Sequence, residues 1–468
     1  MVNKTINSYK NFINGLTESE LSLFVKLKRF FESYQGNKSF REAVDNAVGL
    51  EELNISFDDK SITLNDLKAI INPKEKDKKS VVMNIWSKYL SSASEFRKEI
   101  LNLGNSHGRY MAFDDWRDKQ IRRTAFELGV KGIGIVHSPL AIELSDGCSV
   151  GCWFCGISAE KFKGHYSLKE KGEEEWRQTL EALHSVLGEG MKAGFCYWGT
   201  DPLDNPEYLD FIKIYHEIVG AIPQTTSAIP LKNIELTKAV LEYSNHHRDT
   251  PNRFSILSTS VLERVHKTFT PEELLGVELV LQNVGAKLET KSGAGRALVR
   301  DSDKVFFSDS KKRKFDTVQS DSTIACVSGF LLNIVKKNIK LISPTVANST
   351  WKDGFIIFDE ANYNHPDELP QIINKMVEKQ LYGQIKQDLE FSLHENIKIK
   401  KGCISSPNVQ IEAPFSEKLT DIISRGGITP LNVVCNLSNQ GEDPREVIKF
   451  LNFLWNNGFI KQNYLNEA

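Results

Sequence analysis

The sequence predicts an α/β protein whose central part is a barrel or partial barrel of parallel strands. Three features of the 468-residue chain support this prediction. Apolar strand-like runs alternate with helical runs over residues 133–344, a pattern typical of parallel α/β folds. Residues 1–130 carry helical periodicity, and residues 395–468 combine short strands with three short helices.

We therefore divide the chain into four parts. A helical N-terminal region covers residues 1–130, and the α/β core covers residues 131–345. A connecting segment at residues 346–394 leads to a C-terminal module at residues 395–468. A length of 468 residues is consistent with two or three domains.

Composition restricts the classes of function. The formal net charge is −2, so the whole chain offers no electrostatic case for binding nucleic acid. No run of 18 apolar residues occurs, and the start MVNKTINSYKNF lacks the apolar segment of a signal peptide. We expect a soluble, cytoplasmic protein that binds neither membrane nor nucleic acid. Seven cysteines, three of them clustered, fit a reducing compartment rather than a disulfide framework.

The N-terminal region begins with an amphipathic pattern. The run LSLFVKLKRFFESY places apolar residues at helical spacing with charges between them, which predicts a helix packed on a core. The later run SITLNDLKAIINP predicts a second helix that begins after a cap at Ser61 or Thr63 and ends before Pro73. Residues 105–123 are polar with aromatics and are expected to lead into the core.

Three cysteines fall within eight residues of one loop. Residues 141–161 read AIELSDGCSVGCWFCGISAEK, so Cys148, Cys152 and Cys155 form a CxxxCxxC pattern after an apolar, strand-like run. Three thiolates are one ligand short of a closed tetrahedral metal site. They suit a 4Fe-4S cluster whose fourth iron stays open to an outside ligand.

A zinc knuckle is the alternative interpretation of this loop. Such a site needs a second pair of Cys or His at a similarly short spacing. The next cysteine, Cys196, lies alone in an apolar run, and His165 and His184 have no partner at a ligand spacing. The pattern therefore favours an open iron–sulfur cluster.

Strands and helices alternate after the cysteine loop. The predicted helices are KEKGEEEWRQTLEALHSVLGEG, DNPEYLDFIKIYHEIVG, IELTKAVLEYSNHH and SVLERVHKTF. The predicted strands are KAGFCYW, IPQTTSAIP and RFSILS, and a late hairpin is formed by TIACVSGFLLNIV and NIKLISP. In barrels of this type the site lies at the carboxyl ends of the strands. Both the cysteine loop and the run GTDPLDNP follow a predicted strand.

The C-terminal module has a different pattern. NIKIKKG and PNVQIEAP predict short strands, and three short helices follow, the last beginning at Asp443 and Pro444. This order suggests a winged-helix-like module. DNA binding is not favoured, because none of these helices carries a row of Arg and Lys for phosphates.

The CxxxCxxC run, with Phe154 before its last cysteine, resembles the cluster loop of the radical S-adenosylmethionine (SAM) enzymes. The resemblance implies a partial TIM-like barrel and a cluster whose open iron binds SAM. In that superfamily, reductive cleavage of SAM gives a 5′-deoxyadenosyl radical that takes a hydrogen from the substrate. The run YWGTDPLDNP resembles the family motif that lines the SAM amino group, usually Gly-Gly-Glu-Pro. Trp198 and Asp201 depart from the usual Gly and Glu of that motif.

The same resemblance implies the residues that contact the cofactors. Cys148, Cys152 and Cys155 are the implied iron ligands. The residues implied to contact SAM are Phe154, Gly199, Thr200, Asp201, Pro202, Ser227, Ser255 and Ser258. The alternative interpretation of the three serines is structural, because serines at the ends of strands commonly make hydrogen bonds within loops.

A narrower resemblance covers most residues from 20 to 360. The runs IELSDGCSVGCWFCGISA, FTPEELLGVELVLQN, GAGRAL and IACVSGFLLNIV look like the radical peptide epimerases that act on ribosomally made precursors. Those enzymes convert L-residues of a core peptide to D-residues. The C-terminal module resembles the leader-binding elements of such systems, which capture a leader as an added strand. The implied partners are a precursor peptide and an electron donor such as flavodoxin or ferredoxin.

Epimerisation requires a thiol outside the cluster to return hydrogen. Cys403 and Cys435 lie in the C-terminal module, so Cys326 becomes the predicted donor and Cys196 the next candidate. An isolated buried cysteine is otherwise a small hydrophobic residue. The chain has Thr345 where relatives often have a cysteine after Ser-Pro. Backbone excision or cross-linking of a peptide is therefore an alternative, as is a non-catalytic leader-binding scaffold.

Overall fold

The computed structural model describes residues 6–53, 55–73, 80–288, 291–298, 318–380, 383–400, 402–412 and 416–462. Its architecture is mixed α/β, as the alternation of apolar patterns predicts. The described residues form three main hydrophobic clusters, one in the N-terminal helices, one around the central sheet and one in the C-terminal module. No described helix has both the length and the apolar character needed to cross a membrane.

The described residues of the N-terminal part form six α-helices. They are α1 (Ser8–Asn14), α2 (Glu18–Gly36), α3 (Lys38–Asn46), α4 (Leu64–Ile71), α5 (Val81–Leu103) and α6 (Met111–Leu128). The apolar stripe of α2 is buried, with Phe24 and Leu27 fully inaccessible, so the predicted amphipathic helix is confirmed. Thr63 caps α4 in a reciprocal box with Asp66, which confirms the predicted start.

Helices and parallel strands alternate in the central part. The strands are β1 (Ser138–Glu143), β4 (Thr226–Ser227), β5 (Asn252–Ile256) and β6 (Val277–Leu281). The helices between and around them are α7 (Gly172–Leu187), α8 (Tyr208–Val219), α9 (Ile234–His247) and α10 (Thr259–Thr268). β4, β5 and β6 form a parallel sheet. All four predicted helices of this part are confirmed.

A second sheet has the order β1-β9-β10-β11. β9 (Val327–Asn333) is parallel to β1 and forms the predicted antiparallel hairpin with β10 (Asn338–Pro344). β11 (Phe355–Asn362) adds an antiparallel edge. Helix α11 (Leu369–Glu378) then packs into the central cluster, whereas Phe391 belongs to the cluster of the C-terminal module.

The predicted strand KAGFCYW is wrong in detail. Residues 188–193 form a 3₁₀ helix, and Phe195 makes isolated parallel bridges to Ala141 of β1 and to Gln224. The chain bends at Cys196, so the ladder does not continue beyond one residue. These two bridges nevertheless join the two sheets through Phe195 and keep the parallel order of their strands.

The C-terminal module contains the predicted short strands and three helices. β13 (Lys398–Lys400), β14 (Cys403–Ser405) and β15 (Gln410–Glu412) form an antiparallel sheet. The helices are α12 (Glu417–Arg425), α13 (Pro430–Ser438) and α14 (Pro444–Asn456), and Asp443 caps the last of them with Pro444 at its first position. β12 (Ser392–Leu393) pairs with β16 (Ile460–Lys461) beside them.

Four more short strands belong to the described chain, and two of them enclose the cysteine loop. β2 (Ser145–Asp146) pairs with β3 (Gly164–His165), so the loop leaves and re-enters the fold through a small ladder. β7 (Lys291–Ser292) pairs in parallel with β8 (Val318–Gln319). The β2–β3 ladder therefore holds the two ends of the cysteine loop together at the carboxyl end of β1.

Candidate functional site

The cysteine loop is folded back on itself by backbone hydrogen bonds. The N–H of Cys148 donates to the carbonyl of Glu160 at 2.9 Å, and the N–H of Phe162 donates to the carbonyl of Cys148 at 3.3 Å. Gly147 has φ +78°, and a Cβ there would lie 2.3 Å from the carbonyl oxygen of Lys161. The tight return of the loop therefore requires glycine at this position.

The three predicted iron ligands share this loop and are all half-buried. The N–H of Cys155 donates to the carbonyl of Cys152 at 3.3 Å, and the N–H of Ala159 donates to the Sγ of Cys155 at 3.3 Å. Burial raises the pKa of Cys148 to about 12 and that of Cys152 to about 11. Without a metal, the thiols of Cys148 and Cys152 are therefore protonated at neutral pH, and a metal would have to displace these two protons.

A single metal ion and an iron–sulfur cluster make different demands on this loop. Among the described residues, no three Cys, His, Asp or Glu side chains converge as a ligand set for one ion. A 4Fe-4S cluster makes a different demand, because each of its thiolates binds a separate iron. The donors here are three soft sulfurs on one loop, and an N–H already points at one of them. This donor set fits a cluster in chemistry and spacing.

A second loop follows Phe195 and meets the first. The N–H of Gly199 donates to Glu143 at the end of β1, at 2.7 Å. The buried carboxylate of Asp201 accepts from the hydroxyl of Ser227 at 2.8 Å and from the N–H groups of Ala228 at 2.7 Å and Leu203 at 3.1 Å. The predicted residues Asp201 and Ser227 are thus bonded to each other.

These bonds occupy most of the acceptor capacity of Asp201. An ionised carboxylate has about four acceptor positions, and three are used within the fold. Burial raises its pKa to about 6, although the three hydrogen bonds oppose this shift. The fold therefore leaves one acceptor position of Asp201 unused, and the hydroxyl of Ser227 is bonded to Asp201 and to the N–H of Ile229.

The other residues predicted to bind SAM lie around these loops. Thr200 and Pro202 are buried in the second loop, where Pro202 begins a short 3₁₀ turn. Phe154 contacts Trp153 with ring centroids 5.3 Å apart. Ser255 is half-buried in β5, and Ser258 is exposed and caps α10 through the N–H of Val261 at 3.2 Å. Ser258 therefore has a structural task in the fold.

Asp204 is a site residue that the sequence analysis did not identify. Its buried carboxylate accepts from the N–H of Ser149, inside the cysteine loop, at 2.9 Å. The ammonium of Lys232 donates to its other oxygen at 2.7 Å. Asp204 thereby fixes the cysteine loop to the second loop. Nothing in the run GTDPLDNP distinguishes this aspartate from a turn residue.

A cavity of about 420 Å³ lies beside both loops. Glu143, Gly147 and Gly199 line it together with Asn333 and Lys336. Glu143 was also missed, although an acidic residue at the end of the apolar run AIEL is a signal. Its carboxylate accepts from the amide of Asn333 at 2.9 Å, and burial raises its pKa.

Cys326 lies away from this cavity. It directly precedes β9, and its carbonyl accepts from the N–H of Ser138 at 2.8 Å, at the amino end of β1. Just before Cys326, the side chain of Ile324 lies against Gly156 of the cysteine loop. Cys326 instead lines a cavity of about 60 Å³ with Tyr197 and Arg253. Burial raises its thiol pKa to about 11, against the effect of Arg253.

Cys196, the second candidate donor, is fully buried in the central hydrophobic cluster. The structure therefore brings together the cysteine loop, the second loop and Ser227. It does not bring Cys326 or Cys196 to the 420 Å³ cavity: no cysteine is among the described residues that line it.

Comparisons with known proteins give one close relative and one distant structural likeness. No family model matches the chain. A crystal structure of BtrN in complex with AdoMet and 2-DOIA aligns with a TM-score of 0.28 and 13% identity, over 43% of this chain and 72% of that chain. A likeness of this degree supports no conclusion about the fold.

The sequence relative is the uncharacterized protein y4wI of Sinorhizobium fredii. It is 33% identical over 470 residues, which span 97% of this chain and 90% of the relative. Identity of this degree over nearly the full length of both proteins places them in one family. The chain belongs to the family of the uncharacterized protein y4wI of Sinorhizobium fredii.

Proposed function

We propose that the protein is a radical SAM enzyme that modifies a ribosomally made precursor peptide, with epimerisation of L- to D-residues as its reaction. The observation that carries the proposal is the pinned CxxxCxxC loop at the carboxyl end of β1, joined by Asp204 to the second loop. A 420 Å³ cavity opens beside them. Its volume is in the range of about 300–1,000 Å³ that small-ligand pockets occupy.

The residues of the two loops have distinct tasks in this proposal. Cys148, Cys152 and Cys155 would hold the cluster, which supplies the electron that cleaves SAM when it is reduced. The free acceptor position of Asp201 suits the SAM ammonium, because its other positions are filled by Leu203, Ser227 and Ala228. Asp204 holds the second loop against the cysteine loop through its bond to the N–H of Ser149.

The substrate residue would bind in the cavity. Its walls are polar on one side, where Asn333, Lys336 and Glu360 lie, and aromatic on another, where Trp198 and Phe355 contact each other with ring centroids 5.6 Å apart. Polar groups can hold a peptide backbone, and the rings exclude water from a reactive carbon. These features support a peptide substrate.

Leader binding is assigned in this proposal to the C-terminal module. β13 and β15 are the two edges of its sheet within the described chain. An exposed edge strand offers unpaired backbone groups to an extended segment. The module packs on the core through α6, where the rings of Phe126 and Phe459 are 4.5 Å apart. A captured leader would thus be held beside the catalytic core.

The position of the thiols favours a second candidate reaction. No cysteine lines the described part of the 420 Å³ cavity, and Cys326 lies at the opposite end of β1. A radical reaction that needs no thiol, such as backbone excision or cross-linking, is compatible with this arrangement. Epimerisation through Cys326 would require its thiol and the substrate residue to share one cavity, whereas Cys326 lines the separate 60 Å³ cavity.

Mass spectrometry separates these reactions. A precursor encoded beside this protein is co-expressed with it in deuterated water, and the purified peptide is weighed and sequenced. Epimerisation adds one mass unit for each inverted residue, excision removes the mass of the lost fragment, and cross-linking removes two hydrogens. An unmodified peptide, together with reconstituted protein that does not cleave SAM when reduced, would leave the non-catalytic scaffold as the better explanation.

A further inference from the structure

The segment at residues 294–296 is inserted against the cysteine loop. The backbone N–H of Arg296 donates to the carbonyl of Cys155 at 3.0 Å, and the N–H of Gly295 donates to the carbonyl of Lys352 at 2.7 Å. Gly295 has φ +56°, and a Cβ there would lie 2.3 Å from the carbonyl oxygen of Cys155. Only glycine permits this close approach of two backbones.

The side chain of Arg296 adds two more bonds to the same loop. Its Nη1 donates to the carbonyl of Cys152 at 2.8 Å, and its Nη2 donates to the carbonyl of Ala159. One residue thus binds three loop carbonyls, two of which belong to predicted iron ligands. The planar fork of a guanidinium can satisfy two carbonyls at once, which a lysine ammonium on a flexible stem does less well.

Charged groups of both signs lie near the loop. Burial and the carboxylate of Asp201 raise the pKa of Cys148 and of Cys152, and the cation of Arg296 opposes this shift at Cys152. The charge of Asp204 is compensated by Lys232. Lys232 also lies 3.5 Å from the hydroxyl of Ser149, whereas the guanidinium of Arg296 is bonded to the carbonyl of the predicted iron ligand Cys152.

We propose that Arg296 is a positioning residue that holds residues 152–159 in the shape required for cluster binding and raises the reduction potential of the bound cluster. The second part rests on the proposed function. Reduction adds negative charge to a cluster, and a nearby cation stabilises the more negative state. Net charge and hydrogen bonding near the sulfurs are among the factors that set such potentials.

The first test uses the metal-free full-length protein and does not depend on any cofactor. Hydrogen exchange of the backbone amides at residues 152–159 is compared in the wild type, Arg296→Gln and Arg296→Lys. We expect roughly tenfold faster exchange in both variants, because each loses the two-carbonyl fork. Lys352→Gln, which removes an exposed neighbouring cation, should leave exchange unchanged. Unaltered exchange in Arg296→Gln would overturn the positioning role.

The second test measures the cluster potential after anaerobic reconstitution. Arg296→Gln should have a more negative midpoint potential than the wild type, and Arg296→Lys should return most of the way to the wild-type value. Equal potentials in the wild type and Arg296→Gln would overturn the electrostatic role. A wild type that binds no cluster would refute the proposed function and this second role, while the exchange experiment would still decide the first.

Discussion

At the scale of single residues, Asp201 shows how burial and hydrogen bonding compete. Its carboxylate accepts three hydrogen bonds, which favour the ionised form, yet burial outweighs them and raises its pKa to about 6. The group therefore holds its proton more tightly in the folded protein than in the unfolded chain. Its ordinary pKa is 3.8.

This difference makes the stability depend on pH. Between about pH 4 and pH 6 the folded state binds more protons at Asp201, so the free energy of unfolding falls as the pH rises. The metal-free wild type should lose up to about 3 kcal/mol through this group across that window. The Asp201→Asn variant should be less stable than the wild type at low pH, because the amide cannot accept all three hydrogen bonds. Its free energy of unfolding should not show the decrease with pH that Asp201 causes in the wild type.

Urea unfolding at pH 4 and pH 7 checks this expectation. Asp421→Asn, at an exposed carboxylate of α12, is the matched control and should keep the wild-type slope. Equal slopes in the wild type and Asp201→Asn would show that Asp201 titrates at the same pH in the folded and unfolded states.

Cys326 is the residue on which the choice of reaction depends. If it donates hydrogen, Cys326→Ala should retain cluster assembly and SAM cleavage but form no D-residues or divert the peptide radical to side products. Peptide products are analysed for D-residues and deuterium, with Cys435→Ala, at an exposed thiol, as control. Epimerisation at the wild-type rate in Cys326→Ala would assign the donor elsewhere, with Cys196 next. A wild type that incorporates no solvent deuterium would contradict epimerisation itself.

At the scale of elements, the cysteine loop is pinned from three directions. The β2–β3 ladder closes its base, Asp204 binds Ser149 on one side, and Arg296 binds Cys152 on the other. A metal-binding loop that is already ordered without the metal loses less conformational entropy when the metal binds. The elements around the loop therefore prepare it for a cluster.

Reconstitution tests the ligand set. The protein reconstituted without oxygen should contain about four irons per chain. Changing Cys148, Cys152 and Cys155 together to Ala should abolish iron binding and the formation of 5′-deoxyadenosine. Cys403→Ala, outside this loop, should bind iron normally. Stoichiometric zinc without iron or sulfide in the wild type would contradict the cluster.

At the scale of the whole molecule, α6 joins the central core to the C-terminal module. Its buried Arg123 and Glu127 form an ion pair at 2.6 Å. Glu127 also accepts from Thr345, at the end of β10, and from Asn396 of the module at 3.3 Å. Breaking a buried pair of this kind costs about 3–5 kcal/mol, so this junction is a stable contact rather than a loose linker.

Removal of the module tests its role in substrate capture. Deleting residues 395–468 should weaken leader binding while cluster assembly and uncoupled SAM cleavage persist, because the cysteine loop contacts other elements. The deletion uncovers Phe126, so Phe126→Ser is added to the truncated protein to keep it soluble. Calorimetric titration with a synthetic leader measures the affinity. Unchanged affinity would exclude the module and direct attention to the N-terminal helices.

The sequence by itself determined the local features of this protein. The amphipathic stripe of α2, the caps at Thr63 and Asp443, the β9–β10 hairpin and the spacing of the three loop cysteines all depend on residues close together in the chain. Such features follow from periodicity and capping preferences, which need no knowledge of distant contacts.

Only the tertiary structure decided which distant residues meet. Asp204 and Arg296 reach the cysteine loop from other segments of the chain, and no local pattern marks them. The sequence also could not show where Cys326 lies relative to the cysteine loop, because that position depends on which strand pairs with β9 and in which direction. Strand direction and sheet order place it at the amino end of β1, because β9 runs parallel to β1 and Cys326 precedes its first residue.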